Sequence, residues 1–215
     1  MNQMKRIMNQ GRILIALVTA ITVLLSCAFA GTSTEGSQSR YDGDAELSEQ
    51  LNNLPPFKFE KHKDGIGYGV CPVYTAPSTE SYRCAEGKAA CDTNSKMDDA
   101  GYVSGWLLVR YETNSGNYRV GYIPPKYVKD YKSKMSPHFG YIPAVAEDTI
   151  YVTDNPMMHG TSFAELAPGE QFHILSKYDY YKKNGFEWWY IECEVDGKIA
   201  YGFIECSESS FRLGN

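Results

Sequence analysis

Cysteine and histidine are the residue types in this chain best suited to catalysis, and the sequence holds six cysteines and four histidines. A Cys-His hydrolase needs its nucleophile and its general base in contact. No local catalytic motif surrounds any histidine, and His138 and His159 stand in turn-rich sequence. The other two are His62 and His173. Separation along the chain does not by itself exclude a catalytic pair, but these surroundings favour a protein without enzymatic activity.

The spacing of the cysteines does not fit a structural zinc site. Cys84 and Cys91 are separated by six residues, and no close pair of cysteines or histidines completes the four ligands that zinc needs. We therefore expect no metal and no cofactor. The two cysteines flank a turn at Gly87-Lys88, and we predict that they meet across a hairpin and form a disulfide in an oxidising compartment.

The start of the chain is typical of an export signal, which we assign to residues 1–30. Basic and polar residues precede an apolar run from Ile13 to Leu25, which is shorter than the roughly 20 residues needed to span a bilayer. Two processing sites fit. Cleavage after Ala28-Phe29-Ala30 would release a secreted protein, whereas Leu24-Leu25-Ser26-Cys27 resembles a bacterial lipobox, in which Cys27 carries a lipid. Both place the protein outside the cytoplasm, secreted or anchored to the cell envelope.

Composition and charge exclude several classes of protein. The chain is 13% aromatic, with 17 tyrosines, and contains 19 glycines and 10 prolines, which favours short strands and turns over long helices. The formal net charge is −5, and the first 30 residues hold three of the 21 basic residues and none of the 26 acidic ones. The rest is therefore more acidic still, which argues against binding to nucleic acid.

The sequence contains a degenerate internal repeat. Its landmarks keep their order and approximate spacing in two segments, which we place at 62–130 and 142–213, with linkers at 31–61 and 131–141. Such self-similarity indicates two copies of one structural unit. The matched pairs are Val73–Pro77 with Val152–Pro156, Gly105–Arg110 with Glu187–Glu192, and Gly121–Pro124 with Gly202–Glu205.

Each tryptophan stretch predicts a strand, a turn and a second strand. Asp196-Gly197 between apolar runs is a strong hairpin signal. A two-residue turn there places Cys193 opposite Ala200, which leaves Cys206 too distant to pair with Cys193. The best candidate for a helix is Ala45 to Leu54. Period-two alternation assigns Leu107, Val109, Tyr111, Trp189, Ile191 and Cys193 to the core, and Trp106, Leu108, Arg110, Trp188, Tyr190 and Glu192 to the opposite faces.

These landmarks together resemble the bacterial SH3-like (SH3b) family of small β-barrels. The first copy carries the proline turn of Val73–Pro77, the central strand and glycine hairpin of Trp106 to Pro124, and a short helical turn at Pro125–Val128. The second copy keeps the turn at Asp154–Pro156 but has Glu205-Cys206 in place of the terminal proline pair. The resemblance implies an all-β fold of two small SH3-like barrels in tandem after a signal peptide and a flexible linker.

The resemblance also implies an exported, envelope-associated binding module without catalytic activity, whose ligand is a cell-wall peptide or polymer. Outward aromatic side chains would line the ligand groove through apolar contact. Two alternatives stay open: these rings cover the barrels or the interface between them, or they contact a partner envelope protein in a structural or assembly subunit. Contact with a membrane is expected only through a lipid on Cys27. The predicted ligand-binding residues are Tyr74, Trp106, Tyr127, Trp188 and Tyr190.

Overall fold

The structure of the protein, a computed structural model, describes residues 44–61, 65–113, 117–156, 161–181 and 186–215. The predicted signal peptide with Cys27 lies outside the described residues, as do His62 and His159. Within the described ranges, no helix is both long enough and apolar enough to cross a membrane.

The described chain is mostly β, as its composition predicts. A short helix, α1 (Ala45–Asn53), comes first. The strands that follow are β1 (Glu60–Lys61), β2 (Val70–Pro72), β3 (Ala90–Asp92), β4 (Asp98–Val103), β5 (Trp106–Glu112), β6 (Tyr118–Ile123), β7 (Ile142–Ala146), β8 (Ile150–Val152), β9 (Ala164–Leu166), β10 (Gln171–Tyr181), β11 (Phe186–Val195), β12 (Lys198–Glu205) and β13 (Phe211–Leu213). A 3₁₀ turn spans Pro125–Tyr127, where the short helical turn is predicted.

All strand pairs among the described residues are antiparallel, and each segment is built on a three-stranded meander. In the first segment the sheet order is β1-β4-β5-β6, and in the second it is β12-β11-β10-β7-β13. Two-stranded ribbons, β2-β3 and β8-β9, complete the described sheets, none of which is closed. The all-β prediction is therefore confirmed at the level of open antiparallel sheets.

Equivalent backbone contacts recur in the two segments. Tyr74 forms an isolated bridge with Tyr122, and Thr153 forms the corresponding bridge with Phe203. A matched glycine in each meander lets the two bridged backbone segments approach closely. In the first segment this glycine is Gly121, where a Cβ would lie 2.5 Å from Val73 Cγ1. The equivalent Cβ on the second glycine, Gly202, would lie 2.5 Å from Val152 Cγ1. Matched positions of the sequence repeat thus make matched backbone contacts.

Three clusters of buried side chains hold the sheets together. The first core lies within the first segment and consists of Ile66, Cys71, Val73, Cys84, Ala89, Cys91, Met97, Leu107, Val109, Tyr111 and Ile123. The second core lies mainly within the second segment and consists of Leu51, Ile142, Ala144, Ala146, Ile150, Val152, Leu166, Phe172, Ile174, Trp189, Ile191, Cys193, Ala200, Ile204, Phe211 and Leu213. A third cluster, here called the shared aromatic core, takes residues from both segments: Phe57, Ala76, Ala100, Leu108, Val120, Tyr122, Leu175, Tyr178, Trp188, Tyr190, Tyr201 and Phe203. The faces predicted as core are confirmed: Leu107, Val109 and Tyr111 lie in the first core, and Trp189, Ile191 and Cys193 in the second.

The described part of the predicted linker 31–61 packs against the sheets. Helix α1 begins after Asp44, whose carboxylate accepts a hydrogen bond from the Glu46 N–H at 2.8 Å, a standard N-cap arrangement. Leu51 on this helix is buried in the second core, and Phe57 lies in the shared aromatic core. The helix predicted at Ala45 to Leu54 is therefore present, and its apolar side chains give it a packing role.

The predicted linker 131–141 is also held in place. The Tyr131 hydroxyl donates to the buried carboxylate of Asp99 at 2.8 Å. Farther along, the Gly140 N–H donates to the Leu175 carbonyl at 2.8 Å, and Phe139 packs against the shared aromatic core. Lys132 and Lys134 in this stretch are exposed, and they alternate with Tyr131 and Ser133, whose hydroxyls both donate hydrogen bonds to Asp99.

Candidate functional site

A groove of about 490 Å³ lies where the first segment meets a turn of the second. Its volume is within the range of small-molecule and peptide sites, roughly 300–1,000 Å³. Most of its wall comes from the loop between β2 and β3, here called the groove loop (residues 73–89). The lining residues are Tyr74, Thr79, Ser81, Tyr82, Arg83, Glu86, Gly87, Asp196 and Lys198.

Short-range hydrogen bonds fix the shape of the groove loop. The buried Ser81 hydroxyl lies 3.1 Å from the Ala76 carbonyl and 2.8 Å from the Ser78 carbonyl. Thr75 donates its hydroxyl proton to the Tyr82 carbonyl at 2.8 Å. Small hydroxyl side chains favour such local turns because they reach nearby backbone groups. The loop is therefore ordered without regular secondary structure of its own.

Arg83 supplies a fixed positive charge to the groove. Its Nη2 donates to the Ala89 carbonyl at 2.7 Å and its Nε donates to the Val73 carbonyl at 3.2 Å. The same guanidinium lies 5.1 Å from the centre of the Tyr74 ring, within range of a cation–π contact. The aromatic face and the cation are thus held side by side.

The opposite wall is the predicted Asp196-Gly197 hairpin. Asp196 and Gly197 have positive φ angles of 52° and 73°, as both central residues of a type I′ turn require. Val195 faces Lys198 in the register, which confirms the two-residue turn. The groove therefore carries charges of both signs, since Asp196 and Glu86 accompany Lys198 and Arg83.

Tyr74 and Trp106 are two predicted ligand-binding residues whose rings are in contact. Their ring centres are 5.4 Å apart in an edge-to-face arrangement, and both side chains are half-buried. Tyr74 lines the groove, whereas Trp106 packs against Tyr74 and the edge of the shared aromatic core. Tyr127 is also half-buried, but it packs against the first core and is not among the groove residues.

The predicted exposure of Trp188 and Tyr190 is wrong. Their exposed fractions are 4% and 1%, and both lie in the shared aromatic core. Alternation along β11 correctly separates them from Trp189 and Ile191, which face the second core. The first segment covers the other face of this strand at Trp188 and Tyr190, whereas Glu194 farther along the same face is exposed. These two rings belong to the interface between the segments, one of the alternatives left open by the sequence.

The predicted Cys84–Cys91 disulfide is not formed in the structure. Cys91 lies directly opposite Cys71 in the β2-β3 ladder, with their sulfur atoms 3.7 Å apart. Burial, together with the nearby Asp154 carboxylate, raises the pKa of the Cys84 thiol. The Gly87-Lys88 turn does not place Cys84 opposite Cys91, because the strand that pairs with β3 lies before the groove loop. Cys193 faces Ala200, as predicted.

The described residues offer no cluster of three or more histidine, cysteine or acidic side chains that could hold a metal ion. His173 lies 3.3 Å from Glu192 across the β10-β11 pair, measured from Nδ1 to Oε1, and His138 is exposed.

A scan against protein-family models finds no matching family, and searches of curated proteins and of solved structures find no significant match to this chain.

Proposed function

We propose that this protein is an exported, envelope-associated binding module without catalytic activity, built from two SH3-like units. The repeated bridges and glycine contacts support the tandem arrangement. The basic start and short apolar run support export. The ligand is a cell-wall peptide or polymer that binds in the groove beside Tyr74.

The main support for this proposal is the composition of the groove. Its aromatic face is paired with a guanidinium whose position is fixed by two backbone carbonyls. Glu86 and Asp196 provide carboxylates on the same surface. A short peptide with both ammonium and carboxylate groups, such as those that cross-link cell walls, complements this mixture of an apolar ring and charges of both signs.

We expect Tyr74→Ala to weaken binding of a soluble wall peptide about thirtyfold, since removing a central aromatic anchor costs about 2 kcal/mol. Titration calorimetry on the purified protein measures this change. The matched control is Tyr151→Ala, which removes a ring that is 59% exposed and lies outside the groove. Equal affinity of the two variants would contradict the groove as the binding site.

The alternative proposal is a structural subunit whose aromatic faces contact a partner protein. Burial of Trp188 and Tyr190 within the chain removes these two rings from both proposals, and the groove beside Tyr74 is the observation that favours the binding module. Sedimentation with purified cell-wall sacculi separates the two proposals. Retention that Tyr74→Ala reduces favours the binding module, whereas no retention favours the structural subunit.

We expect the mature protein to begin at Gly31 or at a lipidated Cys27. Intact mass measurement of protein from the native cell distinguishes the two, since a diacylglycerol adduct identifies the lipoprotein. Recovery of a chain that begins at Met1 in the cytoplasmic fraction would refute export.

A further inference from the structure

We propose that Cys71 and Cys91 are the site of a cross-strand disulfide that closes the groove loop covalently. The two residues are direct partners in the antiparallel β2-β3 ribbon, and their sulfur atoms are 3.7 Å apart. Directly opposed residues in an antiparallel pair have Cα atoms about 4.5 to 5.5 Å apart, which lies within the span of a disulfide. Bond formation therefore needs only a small movement of the two side chains.

The surroundings of the pair favour oxidation as the chain folds. Both side chains are buried in the first core, with exposed fractions of 1% and 7%, so the closed bond would be shielded from reductants. The hydrogen bond between the two thiols lowers the pKa of Cys71 and, together with burial, raises the pKa of Cys91, so Cys71 is the better nucleophile of the two. The ribbon has only two strands, and Val70 beside the pair is 72% exposed, so an external disulfide can reach it by local opening.

The reaction is a thiol–disulfide exchange with a small disulfide of the glutathione class. The Cys71 thiolate attacks one sulfur of that disulfide and expels a thiolate, which leaves a mixed disulfide on Cys71. The Cys91 thiolate then attacks the Cys71 sulfur and expels the second small thiol. One S–S bond breaks in the donor and one forms in the protein, and two electrons and two protons pass from the protein to the donor.

The bond would tie down the loop that forms most of the candidate groove. Thr79, Ser81, Tyr82, Arg83, Glu86 and Gly87 all lie between the two cysteines. Cross-linking the ends of this loop reduces the number of conformations open to the unfolded chain. The pairing itself does not depend on whether the groove binds a wall peptide.

Peptide mapping of the wild-type protein tests the pairing directly. The purified protein is unfolded, reduced, refolded with oxidised and reduced glutathione, alkylated and digested with trypsin under non-reducing conditions. Cleavage after Arg83 and Lys88 places Cys71, Cys84 and Cys91 in three different peptides. We expect a linked pair of peptides that contain Cys71 and Cys91. A link that includes Cys84, or alkylation of both Cys71 and Cys91, would overturn the proposal.

Thermal unfolding provides a second measurement, for which Cys84→Ser is the matched control. We expect the oxidised wild type to melt roughly 5 to 10 °C above its reduced form. Cys84→Ser should keep this difference and Cys71→Ser should abolish it. An oxidised Cys71→Ser variant that retained the full difference would contradict the assignment, and if that variant does not fold, the peptide map of the wild type decides.

Discussion

Replacing Tyr190 with alanine is expected to lower the free energy of unfolding by about 3 to 5 kcal/mol, as for other large buried rings. Tyr190 is 1% exposed and its ring lies 4.7 Å from that of Phe203 and 5.2 Å from that of Phe57, measured between centres. The cavity would therefore open inside the shared aromatic core. Since domains of this size are stable by about 5 to 15 kcal/mol, the loss is a large fraction of the total.

Urea denaturation followed by tyrosine and tryptophan fluorescence measures this effect. Tyr151→Ala is the control, because its ring is 59% exposed and its removal should change the free energy of unfolding by no more than about 0.5 kcal/mol. A loss below about 1 kcal/mol for Tyr190→Ala would contradict the shared aromatic core. It would mean that the two segments pack against each other only loosely.

The fold was predictable where a local pattern determines it. Alternation placed Leu107 and Ile191 in the two cores, and the Asp-Gly pair gave the register in which Cys193 faces Ala200. Alternation gives the two faces of a strand but does not say what covers each face. The burial of Trp188 and Tyr190 depends on contact between distant segments, which the sequence of β11 alone does not contain.

The candidate site was predictable only in part, because it also depends on contacts between residues that are distant in the sequence. Tyr74 was identified as an outward aromatic, but the groove around it depends on contacts made by the groove loop. The Tyr82 N–H, for example, donates to the carbonyl of Ile199 in the second segment at 2.9 Å. The role of Arg83 arises from two backbone carbonyls that the folded loop brings to its guanidinium. No motif in the sequence marks either contact.

Stability is expected to fall steeply above pH 10, because burial raises the pKa of Tyr111, Tyr122, Tyr190 and Tyr201 above the ordinary value of 10.0. These hydroxyls stay protonated in the folded protein but ionise in the unfolded chain. Their contribution is therefore fully present below pH 10 and is lost as the pH rises toward the folded-state values. A tyrosine that stays protonated in the folded state lowers the free energy of unfolding by up to about 1.4 kcal/mol per pH unit, once the pH exceeds the value at which it ionises in the unfolded chain.

Tyr122→Phe tests the role of one of these hydroxyls. Its hydroxyl is fully buried and accepts a hydrogen bond from the Tyr190 hydroxyl at 3.5 Å, so the variant starts from a lower stability at pH 8. The quantity to compare is the further loss between pH 8 and pH 11, measured by urea denaturation at both values. We expect this loss to be smaller in Tyr122→Phe than in the wild type, because the variant lacks a hydroxyl whose pKa burial raises. The cysteines are the same in both proteins, so their ionisation in the unfolded chain cancels in the comparison. The matched control is Tyr151→Phe, which removes the hydroxyl of an exposed ring, and a similar effect of both variants would show that burial of Tyr122 is not the cause.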